Sequence, residues 1–266
     1  MGHQYCRSII LTLHTPTDVV ASIQSNQKAV LYNLNLRSDS PVEQVLHAHT
    51  RAITDINFAS SDPYTLATCG LDGWIYKWDL RTGHNGGRRP VWGVCDWRFQ
   101  AGATQVKWNR VEPHIVASAH DNRVLVWDDR FGAQPVKTIT AHSAKIYGID
   151  WSRRKSDALI TCSLDKSFKY WTMNDITSPL LTVNTSSPVY RCRYLPFGRG
   201  VLVLPQRSDH ALSIWGRTKI EKGNTAQPVA RFEGSRDGFK EFVWRTRGGS
   251  DLDHGQSSYR SSSLLR

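Results

Sequence analysis

At 266 residues and 39% hydrophobic the chain can bury a sizeable core as one repeat domain; no apolar run approaches the roughly 18 residues of a membrane span, and no secretory apolar segment opens the N-terminus, which favours the cytosol. The five cysteines, Cys6, Cys69, Cys95, Cys162 and Cys192, are odd in number and hold no C-x-x-C pair, which argues against a zinc site or a disulfide framework. The formal charge of +11 is uneven: residues 187–266 carry 14 basic and 7 acidic side chains, a net of +7, leaving +4 elsewhere.

Taken from the N-terminus, the chain returns to the same short pattern. An aromatic residue closes an apolar run at Tyr32, Trp78, Trp127, Trp171 and Trp215, at intervals of 46, 49, 44 and 44 residues, and Asn26, Asp72, Asp121, Asp165 and Asp209 each stand six residues earlier. A second register ends at Phe58, Trp108, Trp151, Tyr194 and Trp244. Each unit therefore holds at least two strands in a fixed order.

The individual elements agree. Ala52 to Phe58 is short and rich in β-branched residues, as strands are. Asp72-Gly73 then supplies a turn before the run to Trp78. Gly83 to Gly87, with Arg88-Arg89 after it, connects one unit to the next and is no phosphate loop. Asp121-Asn122 makes a tight turn ahead of the strand Val124 to Trp127, and Phe168 to Trp171 repeats that strand. After Trp215 comes a long loop, Gly216 to Pro228, and a further unit begins at residues 238–245 without reaching its own Asp-x5-Trp. Residues 248–266, small and polar, read as a disordered tail after a repeat domain over 1–247.

A period in the low-to-mid forties with Gly, Asn and Asp turns and a Trp-Asp ending predicts an all-β propeller of four-stranded blades. About five complete blades are expected, with partial terminal ones. A closed seven-bladed ring at about 40–45 residues per blade needs roughly 300, so the ring is expected to be incomplete and the chain truncated.

The Asp-x5-Trp pattern, with His49 and His142 each 29 residues before Trp78 and Trp171, resembles the WD-repeat (WD40) family. The resemblance implies buried tetrads of His49, Thr68, Asp72 and Trp78, and of His142, Thr161, Asp165 and Trp171. By the same register His47 is a bystander, expected with His84, His114 and His254 in loops or the tail. Two further units carry partial sets, Asp121 with Trp127 and Asp209 with Trp215; Ala117 and Pro205 occupy the hydroxyl positions of these units by count. Cys69 and Cys162, three residues before their Asp, read as packing residues of a second strand.

Four further segments occur in order: Ala101 to Asn109, Ala141 to Trp151, Pro188 to Phe197 and Phe239 to Arg245. Over residues 16–247 the chain is similar to the N-terminal propeller of the WD-repeat protein fifty-nine family, subunits of the SEA complex and of its animal counterpart, the GATOR assembly. The resemblance implies a scaffold in a coat-like complex at the vacuolar or lysosomal membrane, upstream of the target-of-rapamycin kinase in amino-acid sensing. It also implies partners that are propeller subunits of that complex, with peripheral contact to an acidic membrane surface. Members of the family continue into RWD and RING-like zinc domains, which this sequence does not contain.

No G-x-S-x-G, H-E-x-x-H or P-loop is present, and the remaining histidines have no carboxylate or cysteine at ligand spacing. The sequence therefore points to no enzyme, no cofactor, no metal and no small-molecule substrate. Two tetrapeptides, Trp78-Asp79-Leu80-Arg81 and Trp127-Asp128-Asp129-Arg130, match the W-D-x-R box by which WD-repeat receptors dock on a cullin-type ubiquitin ligase, and make Arg81 and Arg130 candidate docking residues; the plainer reading is a surface ion pair. A nucleic-acid-binding propeller is a third reading, suggested by charge alone. Candidate contact segments are Thr82 to Val91, Asn184 to Pro188, Pro196 to Gly200 and Gly216 to Pro228.

Overall fold

A computed structural model describes residues 12–14, 19–24, 27–35, 42–81, 90, 92–95, 101–132, 134–206, 211–217, 227–233 and 242. The apolar runs become twenty strands, and these form five four-stranded antiparallel sheets in chain order. The first sheet holds β1 (Thr12–His14), β2 (Val19–Gln24), β3 (Lys28–Asn33) and β4 (Val42–His47). The second holds β5 (Ile53–Phe58), β6 (Thr65–Gly70), β7 (Ile75–Asp79) and β8 (Trp92–Val94). In the third are β9 (Ala103–Trp108), β10 (Ile115–His120), β11 (Arg123–Asp128) and β12 (Lys137–Thr140). The fourth runs through β13 (Ile146–Trp151), β14 (Ala158–Ser163), β15 (Ser167–Thr172) and β16 (Leu181–Asn184), the fifth through β17 (Val189–Tyr194), β18 (Gly200–Pro205), β19 (Ala211–Gly216) and β20 (Ala230–Glu233).

Within each sheet a strand pairs only with its neighbours in sequence, so every unit is an antiparallel meander. The Trp-ending strand is the third of its sheet, and Phe58, Trp108, Trp151 and Tyr194 close the first strands. Among the described residues five four-stranded blades stand, the number the repeat spacing predicts. The further unit at 238–245 and the tail lie outside the described residues, except for Phe242, which is buried against Leu202, Leu204 and Leu212 of the fifth sheet.

Second strands are buried on both faces, as the unbroken burial of β6, β14 and β18 shows. Because side chains alternate across a strand, one half of each such strand packs on the preceding blade and the other half on the following one. In β14, Leu159 joins the cluster shared with the third sheet, while Ile160 and Cys162 join the cluster shared with the fifth. The core is therefore a series of layers between blades, each incomplete without its neighbour.

First strands lie side by side and are laced by polar bonds at intervals close to the repeat. Thr54 Oγ1 donates to the Ala103 carbonyl at 2.7 Å, and Thr104 Oγ1 to that of Ile146 at 2.8 Å. The Asn57 side chain accepts from Trp108 N at 2.9 Å, Gln105 from Ile149 N at 2.7 Å and Asp150 from Tyr194 N at 2.9 Å. The Arg191 guanidinium donates to the Tyr147 carbonyl. These bonds satisfy inner-strand amides and carbonyls that have no partner strand on that side.

Candidate functional site

In the second and fourth blades a short hydrogen-bonded relay crosses the interior of the sheet. Trp78 Nε1 donates to Thr68 Oγ1 at 2.9 Å, Thr68 Oγ1 lies 2.8 Å from His49 Nε2, and His49 Nδ1 lies 3.0 Å from both Asp72 carboxylate oxygens. Trp171 Nε1, Thr161, His142 and Asp165 repeat it at 3.0, 2.7 and 2.8 Å. The indole can only donate and the carboxylate can only accept, so each hydroxyl accepts from its Trp and each Asp accepts from its imidazole Nδ1. A neutral His142 imidazole with its proton on Nδ1 completes the fourth-blade relay, accepting at Nε2 from Thr161.

Burial favours the same state. It holds the His142 imidazole below the usual histidine range, against the opposing pull of Asp165. Burial alone would raise the Asp165 carboxyl, but hydrogen bonds from Ser167 and His142 outweigh it and hold the group low. Asp72 is held low in the same way by His49 and by the Thr50 and Trp74 amides. With all donors and acceptors engaged inside one sheet, these residues brace the blade and expose no reactive group.

His47 takes no part; it is the exposed last residue of β4 rather than a loop residue, with its backbone paired to Lys28. His142→Ala is therefore expected to lower stability by about 1 to 3 kcal/mol, because Thr161 and Asp165 lose a buried partner. His47→Ala should change the urea midpoint by no more than experimental scatter. Equal losses from the two substitutions would overturn this assignment.

The other Trp-ending blades differ from the count made on the sequence. Trp127 Nε1 donates to Ser118 Oγ at 2.9 Å, not toward Ala117, and Ser118 lies 3.0 Å from His120 Nε2, whose Nδ1 reaches the Ala101 carbonyl at 2.9 Å. The reason is the turn. Only two residues separate β10 from β11, and Asp121 itself takes the left-handed conformation (φ 49°), where Gly73 (φ 81°) and Lys166 (φ 62°) take it one residue after their Asp. The tighter hairpin moves the hydroxyl one position along and leaves the Asp121 side chain exposed.

In the fifth blade, Val203 and not Pro205 stands where Thr68 and Thr161 stand, two residues beyond the partner of the Trp. Trp215 Nε1 turns instead to Ser213 of its own strand at 2.8 Å. A cavity of about 220 Å³ opens there, lined by Asn184, Thr185, Ser187, Val203 and Trp215. Asp209 lies outside the described residues, as do most of the connectors Thr82 to Val91 and Gly216 to Pro228.

Both W-D-x-R arginines fold back on their own tetrapeptides. Arg81 Nε and Nη2 donate to the two Asp79 oxygens at 2.9 and 3.0 Å, and Nη2 also reaches Asp62 at 3.1 Å. Arg130 grips Asp128 in the same bidentate manner, at 2.9 and 2.6 Å. Cys69 and Cys162 are fully buried free thiols in second strands; burial carries the Cys69 thiol well above its usual range. Among the described residues no cluster of three or more His, Cys, Asp or Glu could hold a metal ion, and no helix is long and apolar enough to cross a membrane.

The WD domain, G-beta repeat family (WD40) matches residues 40–79 and 133–172, each running from the last strand of one sheet to the third strand of the next. An "Uncharacterized RWD, RING finger and WD repeat-containing protein" of Schizosaccharomyces pombe is 40% identical over 91% of this chain and 18% of its own length. A "GATOR2 complex protein Wdr59" of Drosophila melanogaster is 36% identical over 76% of this chain and 20% of its own. The chain thus spans about a fifth of the length of these relatives. A chain of the solved "Mitotic Checkpoint Complex" superimposes with a TM-score of 0.70 over 85% of this chain and 64% of its own, at 17% identity, which shows a shared propeller fold.

Proposed function

For a chain that carries WD40 repeats, folds as blades of a WD40 propeller and is homologous to GATOR2 complex proteins, we propose the role of a non-enzymatic protein-interaction scaffold. It serves as a subunit of a SEA- or GATOR-type coat-like complex at the vacuolar or lysosomal surface and promotes target-of-rapamycin signalling when amino acids are plentiful. The identity to a GATOR2 complex protein over most of the chain carries this reading. The interior supports it, since the tetrads and inner-strand bonds are committed to rigidity and leave recognition to the loops at the sheet ends.

The ion pairs that close Arg81 on Asp79 and Arg130 on Asp128 offer the ligase-receptor reading no support. Affinity purification of the tagged full-length gene product should recover other propeller subunits and a vacuolar or lysosomal enrichment. Its loss should blunt target-of-rapamycin activity on amino-acid refeeding. Recovery of no propeller partner would overturn the reading.

A further inference from the structure

In the second, third and fourth blades the buried indole donates to a hydroxyl, and that hydroxyl lies within 3.0 Å of an imidazole Nε2. In the third blade the far side of the ring, His120 Nδ1, reaches the carbonyl of Ala101, two residues before β9. The fifth blade begins the same relay and does not finish it. Trp215 Nε1 donates to Ser213 Oγ at 2.8 Å, but no acceptor among the described residues takes the Ser213 hydroxyl hydrogen.

The cavity of about 220 Å³ opens at this break. Its buried wall is Trp215 and Val203, the latter at the place of Thr161. Opposite them lies the connection from β16 to β17, which enters this blade as the connection bearing His142 enters the fourth and carries no histidine. Ser187 lines the cavity two residues before β17, as Ala101 stands before β9. Its carbonyl accepts from Thr185 Oγ1 at 2.8 Å and keeps a second lone pair. Asn184 and Ser186 are exposed, which puts the mouth at this connection.

An apolar cavity of about 150 Å³ holds benzene, so this space holds one planar ring of five or six atoms. A purely apolar ring would leave the Ser213 hydroxyl desolvated and without an acceptor. A compact anion would waste the indole and valine wall, which suits an aromatic ring. Arg231 of β20, already engaged elsewhere, borders the same cavity and makes a protonated ring the poorer fit.

We infer that the fifth blade holds a binding site for a neutral imidazole-type ring, with one ring nitrogen accepting from Ser213 and the N–H across the ring donating to the Ser187 carbonyl. The ring would supply from outside what His49, His120 and His142 supply from within the chain. A free heteroaromatic compound and the histidine side chain of a partner carry this same chemistry. Such a site stands apart from the scaffold reading.

The probe is imidazole at about pH 8, where the ring is mostly neutral, added to the full chain labelled with nitrogen-15. Binding is followed through the Trp215 indole N–H resonance, assigned by its loss in Trp215→Phe. A saturable shift of that resonance is expected, with those of Trp78 and Trp171 unmoved. Pyrrole has the same size and N–H but no acceptor nitrogen, and should bind about tenfold more weakly. Ser213→Ala should weaken imidazole binding by a similar factor and Ser213→Thr should restore it; should Ser213→Ala fail to fold, the comparison of rings on the unaltered chain decides. A Gly-Gly-His-Gly-Gly peptide that binds more tightly than imidazole would support the site and assign the ring to a partner's side chain, and the reverse order would support it with a free compound as the source. No saturable shift, pyrrole or benzene binding as well as imidazole, or undiminished binding by a folded Ser213→Ala variant would overturn the proposal, whether or not propeller subunits are recovered with the full-length product.

Discussion

Trp127→Ala is expected to destabilise the chain by about 3 to 5 kcal/mol, in the range for a fully buried Trp. Trp127 is 0% exposed and lies in the layer where the second sheet, through Ala67, Cys69, Ile75 and Val94, meets the third. Removing it leaves a cavity whose walls belong to two blades, so neither can collapse into it without moving the other. It also strands the Ser118 hydroxyl and the relay to His120 and the Ala101 carbonyl. Urea unfolding would read the loss as a lower midpoint at similar slope. Trp74→Ala is the control, because Trp74 is 39% exposed and stacks on Tyr76 at 5.5 Å, an arrangement worth about 1 kcal/mol. A loss at Trp127 no greater than at Trp74 would show that the layer between blades does not carry the fold.

Lys107→Ala should cost a similar amount for an electrostatic reason. Lys107 Nζ lies 2.6 Å from Asp55 Oδ2, their side chains 5% and 1% exposed, and the bond joins the first strands of neighbouring blades. Asp55 also accepts from the Val106 amide at 3.1 Å. Deleting the ammonium leaves a buried carboxylate with that one amide, and breaking a buried pair from one side typically costs about 3 to 5 kcal/mol. Replacing both members, Asp55→Leu with Lys107→Met, should recover much of the loss in thermal unfolding, short of the amide bond to Val106. A double variant as unstable as Lys107→Ala would mean that packing, not the uncompensated charge, sets the cost.

The two complete tetrads were legible in the sequence because their members lie in one sheet and in the segment that leads into it, joined by connections whose lengths give the same His-to-Thr and Thr-to-Trp offsets in both. The offsets from His49 to Trp78 and from His142 to Trp171 translate directly into space for that reason. The same count failed for the third and fifth blades. There one turn is shorter and the other longer, and the hydroxyl position slid to Ser118 and to Val203. The resemblance of the W-D-x-R boxes to a docking motif was equally visible, but the bidentate closure of Arg81 and Arg130 on their own aspartates depends on side-chain geometry.

The sequence by itself determined the number of complete blades, the order of strands within each and the residues that brace two of them, since these follow from local periodicity and from pairing between neighbours in the chain. Only the tertiary structure decided which residues meet across blades. Arg110, Asp150 and Tyr194 are about forty residues apart, one repeat each, and no local pattern relates them. Asp150 accepts from the Arg110 guanidinium of the preceding blade and from the Tyr194 amide of the following one because first strands lie side by side. Stacking of whole sheets brings residues one repeat apart into contact, which pairing within a sheet cannot do.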